Sequence, residues 1–340
     1  MSSTGQAAPG SPGAVPAQGS ERPGVIDAVP VRHPGRWVAV GVIAILVLMF
    51  VHLVLTSEAW NWPLVGKMMI QTPVLRGLVL GTIVGTICAM ILGVFLGVVL
   101  AVMRLSDNPI LSKVAWFFTW FFRAIPRYVL LFIMGSLGIL FPLDKGGLSF
   151  GIPFDTVIMK FFGMSGDMRF LSLDANQIFS SLLGGIIGLG VSEAAYMAEI
   201  ARAGILSVDP GQREAASALG MSNAMAMRRV VLPQAMRVIV PPTGNETIAM
   251  VKDTSLLLAI PVNNELFFQL RAIGSRMFQV FPAAVAATLW YLIICSLLML
   301  VQVQLEKKFG KGFGAKPTTA QQQKAKMLKL RSAGGGAGGF

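Results

Sequence analysis

The chain reads as an all-α polytopic membrane protein, and three observations predict it. Of its 340 residues, 54% are hydrophobic and 13% charged, with a mean hydropathy of +0.68. Six apolar runs each exceed the roughly 18 residues that mark a membrane-crossing helix. The basic residues divide unevenly between the two sides that those runs define. With the N-terminus inside, 18 of the 28 Lys and Arg fall in inside segments, and this asymmetry orients a membrane protein.

The first 36 residues are rich in Pro, Gly, Ala and Ser and form a lead expected to be disordered and cytoplasmic. That lead is too long and polar for an ordinary cleaved signal, so the run at 37–56 is expected to be a retained helix. The second span, 78–103, carries Gly81xxxGly85 and Gly93xxxGly97, spacings that let helices approach closely, within one subunit or across a dimer face. The third, 114–140, opens on Trp116, Phe117, Phe118, Trp120, Phe121 and Phe122, an interfacial belt or else a cation cage, and Pro126 predicts a kinked or broken helix. Arg123 and Arg127 beside it are placed either to stay by that cluster within the span or to snorkel to the inner headgroups. The fourth span is 178–201. The fifth, 238–262, contains Pro241 and Pro242 and is expected to be kinked or broken; the sixth is 278–303.

The formal charge of +12 does not indicate nucleic-acid binding, because its densest part follows the last span. Eight of the final 35 residues are basic, which fits a cytoplasmic tail (306–340) drawn to anionic lipid headgroups. Cys88 and Cys295 lie in separate apolar runs, and His33 and His52 near the first span, so neither a disulfide framework nor a His/Cys metal site is expected.

Between the fourth and fifth spans lies the most informative segment, 209–233, which topology places in the cytoplasm. Asp209 is a good N-cap, Pro210 suits the first helical position, and Gln212 stands where a capping-box partner reaches back. Gly220 stands where a helix of about 15 Å ends. The full pattern is Glu214-Ala215-Ala216, three residues, Gly220, nine residues, Val230, one residue, Leu232-Pro233.

This pattern resembles the EAA loop of permease subunits in bacterial ATP-binding-cassette (ABC) importers. Flanking residues narrow the resemblance to the polar-amino-acid group: Ala195 to Glu199, Arg202, Gly211-Gln212, Pro241-Pro242, Asn245-Glu246 and Lys252 to Leu256. Phe121 to Pro126 is similar to that group's Arg-Gly-Thr-Pro element, with departures at two positions. The resemblance covers about 76–305. It implies a five-helix permease core, with 37–56 as an extra leading helix. It implies as partners a dimer of ABC ATPases, an extracytoplasmic amino-acid-binding protein and a second permease, identical or related, in the inner membrane. Carried over, Gly211, Gln212, Glu214, Ala215, Ala216, Gly220, Leu232 and Pro233 form the surface that couples to the ATPase. No G-x-x-x-x-G-K-[ST] loop occurs, so ATP and Mg are expected on the partner and no cofactor on this chain.

Ionisable residues inside spans cost at least ~2.5–3.5 kcal/mol each on insertion scales, so each needs a reason. Glu193 and Lys252 lie nearest mid-span; they line a polar path or pair for structural reasons, and opposite charges on a path suit a zwitterion. Asp253, Thr254 and Ser255 extend that path with a carboxylate and two hydroxyls. Glu199 is expected to pair with Arg202 at i,i+3 spacing, and Arg123 to be a structural intramembrane charge. The rival reading is an ATPase-independent secondary transporter, which leaves the capped helix without a purpose. An embedded enzyme is disfavoured because no serine has a base beside it.

Overall fold

Four helices among the described residues are long and apolar enough to cross a bilayer, and a sharply bent pair makes five if read as one span. The computed structural model describes residues 34–142, 147–151, 155–163, 169–260 and 262–309. Most of the lead and the tail beyond 309 lie outside them.

Helix α1 (Pro34–Thr56) belongs to a compact unit of its own. It is apolar all round and none of its residues is buried, so its sequence defines no packing face. The second unit begins at Ser57. It opens with α2 (Trp62–Met69) and α3 (Thr72–Gly77), which passes through a π-helical turn (Leu78–Val84) into α4 (Gly85–Arg104). Together α3 to α4 make one 33-residue span.

Of the two forms expected for the third span, kinked or broken, the structure shows the broken one. Asn108 caps α5 (Pro109–Ala124) by accepting the Ile110 and Leu111 N–H groups at 2.9 and 3.4 Å. The chain then turns through 98° before α6 (Arg127–Gly135) and α7 (Leu137–Leu140). The cause is local: Pro126 forces Ile125 out of the helical region, to φ −85° and ψ 130°. The exposed side of α5 carries the aromatic run, with Trp116 and Trp120 stacked at 6.1 Å.

The fold is helical as expected, with one short antiparallel ribbon, β1 (Leu148–Gly151) with β2 (Arg169–Leu173), in the loop after α7. It pairs Leu148 with Leu173 and Phe150 with Leu171. α8 (Asp155–Phe161) lies between the strands. α9 (Ala175–Phe179) is capped by Asp174 and separated by Ser180-Ser181 from α10 (Leu182–Leu206), so the fourth span starts later than predicted.

α10 is the axis of this unit, in contact with α4, α5 and α6. Lipid is as apolar as a leucine side chain, so close van der Waals packing must hold such helices together. Gly93 and Gly97 provide it: a Cβ on either would lie 2.7 Å from Glu193 Cγ or 2.5 Å from Met197 Cβ. These glycines therefore serve packing within the subunit.

After α10 come α11 (Pro210–Ala218), α12 (Asn223–Ala226) and a π-helical turn (Met227–Val231). These lead into α13 (Leu232–Asp253), which continues as a 3₁₀ segment (Thr254–Ala259). α13 is not interrupted at Pro241-Pro242. Gln302 supports the helix there by donating from Nε2 to the Pro241 carbonyl at 2.8 Å. The predicted fifth span is not among the apolar ones, because α13 carries Arg237, Glu246, Lys252 and Asp253 and is sheltered by α10 and by α15 (Val280–Phe309).

α14 (Leu266–Arg276) precedes α15 and is capped by Glu265, whose Oε2 accepts the Phe268 N–H at 2.9 Å. The other oxygen accepts from Thr82 at 3.2 Å and Tyr291 at 2.7 Å. Burial pushes this carboxyl above its ordinary range, and the bonds from Tyr291, Phe268 and Thr82 pull it back. The same loop backbone presses on α3 and the π turn. A Cβ at Gly81 would lie 2.0 Å from the Asn264 carbonyl, which is backbone and cannot yield.

That contact gives a test. Gly81→Val should cost about 3 kcal/mol or more through overpacking. Gly66→Ala on α2, where a Cβ meets nothing within 4 Å, should be neutral or gain up to ~1 kcal/mol. Thermal unfolding of the two purified variants beside wild type reads the difference.

Candidate functional site

The charges converge on Arg127, for which the sequence left open a place within the span or at the inner headgroups. Arg127 is the first residue of α6, directly after the 98° turn, and that turn aims it inward. Its guanidinium lies 2.9 Å from Glu193 Oε2 on α10, bonds Asp253 at the end of α13, and stands 3.9 Å from Glu246 Oε2 on the same helix. The Arg127 side chain is 14% exposed and that of Glu193 fully buried. The Tyr196 ring lies 4.8 Å from Arg127 Cζ, and Arg123 approaches the same ring at 5.6 Å. An aromatic face beside a guanidinium is a favourable cation–π arrangement.

Three carboxylates thus surround one guanidinium, which leaves a formal surplus of negative charge. Glu193 Oε1 is buried and has no hydrogen-bond partner, as does the adjacent Ser192 Oγ. Buried acceptors without partners cost about 1–3 kcal/mol each, so the cluster has spare capacity for a donor.

The sequence-predicted path residues separate into two groups. Glu193 and Asp253 meet at Arg127. Lys252 does not join them: it is exposed, and with Ser255 it lines a cleft of about 340 Å³ against Thr288, Tyr291 and Cys295 on α15. Successive residues near a helix end point about 100° apart, so Lys252 and Asp253 cannot share a face. The hydroxyls of Thr254 and Ser255 donate to the carbonyls of Val251 and Lys252, both at 2.7 Å. Glu199 accepts from Arg202 at 2.7 and 2.9 Å and lies 3.6 Å from Arg104, which ties α4 to α10.

The second candidate surface is α11. The Asp209 carboxylate accepts the Gly211 N–H at 2.7 Å. The other end closes as a Schellman motif: Gly220 N–H donates to Ser217 at 2.9 Å, Met221 N–H to Ala216 at 3.1 Å, and Gly220 has φ +76°. Gln212 does not close a capping box; its Oε1 accepts from Gln234 Nε2 of α13 at 3.5 Å. Gly211, Gln212, Glu214, Ala215 and Gly220 are exposed, as are Leu232 and Pro233. Ala216 is 3% exposed, so it packs α11 onto the protein and is no part of an outward surface. Leu219, absent from the predicted set, is 79% exposed. Its signal was an apolar residue directly before a terminating glycine, with no other apolar residue to pack against.

Comparison with known proteins assigns the class. Residues 93–311 match the family model described as "Binding-protein-dependent transport system inner membrane component", and the chain belongs to this family. It is accordingly a non-catalytic, multi-pass permease subunit of an ABC transporter; ATP and its hydrolysis belong to a separate subunit. Among its relatives is the "Arginine transport system permease protein ArgU" of Corynebacterium glutamicum, 44% identical over 90% of each chain. Another is the "Probable amino-acid ABC transporter permease protein YckA" of Bacillus subtilis, 33% identical over 61% of this chain and 76% of its own. A solved structure, "Crystal structure of an amino acid ABC transporter with histidines", superposes with a TM-score of 0.53 at 28% identity, covering 69% of this chain and 94% of that one.

The separation of Lys252 from Glu193 is testable by stability alone. Glu193→Leu should lower the midpoint of thermal unfolding markedly, because breaking a buried pair costs about 3–5 kcal/mol. Lys252→Met should shift it by less than about 0.5 kcal/mol, as an exposed substitution does.

Proposed function

We propose that this chain, the permease subunit of an ABC amino-acid importer, carries cationic amino acids inward, with arginine foremost. The observation that carries the proposal is the cluster at Arg127: surplus carboxylate, an aromatic face and the buried, unpartnered Glu193 Oε1 gathered around one guanidinium. A cationic side chain is the ligand that such a cluster suits, and the name of the Corynebacterium relative points to the same substrate. Glu193 and Asp253 are the path residues of this reading; Lys252, Thr254 and Ser255 stand aside from it.

In the same proposal α13 spans the membrane despite its polarity, since its 22 residues reach about 33 Å. The second unit then has five spans, residues 76–305 form the permease core, and α1 is an extra leading helix. Both termini are cytoplasmic, the basic tail is drawn to anionic lipid headgroups, and a second permease copy or relative completes the pore. An extracytoplasmic binding protein delivers the substrate.

Energy enters at α11. Its outward face, with Glu214, Ala215, Leu219 and Gly220, docks on the ATPase, and Leu232-Pro233 sets the return into the membrane. Gln234 stiffens the junction by donating to the Val230 carbonyl at 3.0 Å. α13 then runs without interruption to Asp253, which bonds Arg127. A cavity of about 490 Å³ beside α13, lined by Val98, Met197, Met236 and Val240 among others, leaves it room to shift. ATPase closure therefore moves a single helix that ends at the charge cluster, as alternating access requires.

Co-purification with the ATPase and binding protein, followed by ATP hydrolysis across an amino-acid panel, tests the substrate. Arginine should stimulate most, then lysine and histidine; strongest stimulation by glutamate would contradict the proposal. For the coupling face, Leu219→Asp should leave insertion and thermal stability unchanged while reducing arginine-stimulated hydrolysis roughly tenfold, the effect of losing one apolar anchor worth ~1.4 kcal/mol.

A further inference from the structure

Arg127 occupies the place that a cationic substrate would take. Carboxylates of Glu193 and Asp253 hold its guanidinium, Glu246 stands close by, and Tyr196 presents its ring face. This is the chemistry that recognises free arginine, whose side chain ends in the same group. The protein has built a guanidinium site and filled it with a residue of its own.

Three features make that occupant exchangeable rather than fixed. Arg127 sits immediately after the Ile125-Pro126 turn, as the first residue of α6, where its side chain can leave the cluster by its own rotamers without unwinding the helix. One internal cation against three carboxylates leaves the site under-neutralised, so a second cation can enter before the first departs. Glu193 Oε1, buried and unpartnered, is an acceptor for the incoming group. Replacing one guanidinium by another also spares the buried carboxylates from being left without a counter-charge, the most costly state for such a site.

We infer that Arg127 is a tethered surrogate of the substrate: it holds the unloaded permease closed by linking α6, α10 and α13, and the cationic side chain of the arriving amino acid takes its place. The inference rests on the proposal that cationic amino acids are carried. It makes Arg127 a positioning residue that a neutral isostere of arginine cannot displace.

The test uses the complete complex, with ATPase and binding protein, in lipid nanodiscs. Without amino acid, Arg127→Ala should hydrolyse ATP about tenfold faster than wild type, the change expected when ~1.4 kcal/mol of bias toward the closed state is lost. Millimolar guanidinium chloride, entering the vacated place, should return that idle rate toward wild type, whereas equal sodium chloride should not. Arg127→Lys keeps the charge but not the planar fork; it should assemble normally and show a lower half-saturating arginine concentration, since a weaker occupant is easier to displace. If Arg127→Ala fails to assemble, the Arg127→Lys shift decides. An unchanged idle rate in Arg127→Ala, a raised rate that guanidinium leaves unaltered, or an unshifted Arg127→Lys overturns the inference. Absence of arginine stimulation in the wild-type complex would instead remove the substrate proposal on which it rests.

Discussion

The helices that meet at Arg127 are arranged around one electrostatic constraint: an ionised carboxylate taken out of water needs a cation beside it. Glu193 is fully buried on the most central helix, and Arg127 reaches it at 2.9 Å. To bring Arg127 there, the chain breaks the third hydrophobic run at Pro126 and turns by 98°. To hold it there, the polar helix α13 brings Glu246 and Asp253 from the opposite side. Unpaired, each of these charges would be expensive in lipid; collected, they link three helices whose apolar surfaces gain little from mutual burial.

The same constraint explains why α13 escapes a hydropathy criterion. A helix that faces lipid must be apolar, but one enclosed by α10 and α15 is free to carry charge. That freedom is where function enters. α13 begins at the turn that follows α11 and ends at the charge cluster, so one uninterrupted helix joins the two candidate surfaces. The cavity along its flank shows that the packing on that side is not closed. A tightly packed interior is bistable rather than continuously deformable, and a helix with open volume beside it has a second place to go.

Much of this was legible in the sequence, and the exceptions share a cause. Local chemistry read correctly: the Asp209 cap, the Gly220 terminus and the Glu199–Arg202 pair depend on residues a few positions apart. So did four of the six predicted spans, whose signal is length and composition; the third is a bent pair and the fifth is too polar to meet that criterion. What was misread or left open concerns directions set by tertiary structure. Arg127 sits beside an aromatic belt in sequence, which left open a place within the span or at the headgroups, and the turn at Pro126 decides where it points. Lys252 and Glu193 looked like a complementary pair because both are near mid-span, yet neighbouring positions on α13 face different helices. Ala216 belonged to the predicted motif, but a motif does not say which of its residues face outward. Leu219 carries only a weak signal, an apolar residue directly before the terminating glycine, which does not by itself show that it faces outward. The ribbon β1–β2 rests on four paired residues in a loop, too little alternation to distinguish from turn.

The central claim is that substrate passes through the carboxylate cluster at Arg127. It is tested most directly by a cryo-EM structure of the assembled complex, trapped with arginine and a non-hydrolysable ATP analogue. The account predicts ligand density between Glu193 and Asp253, with the arginine guanidinium on these carboxylates and the Tyr196 ring alongside. Density in the cleft between Lys252 and α15, with the Arg127 cluster unaltered, would contradict it.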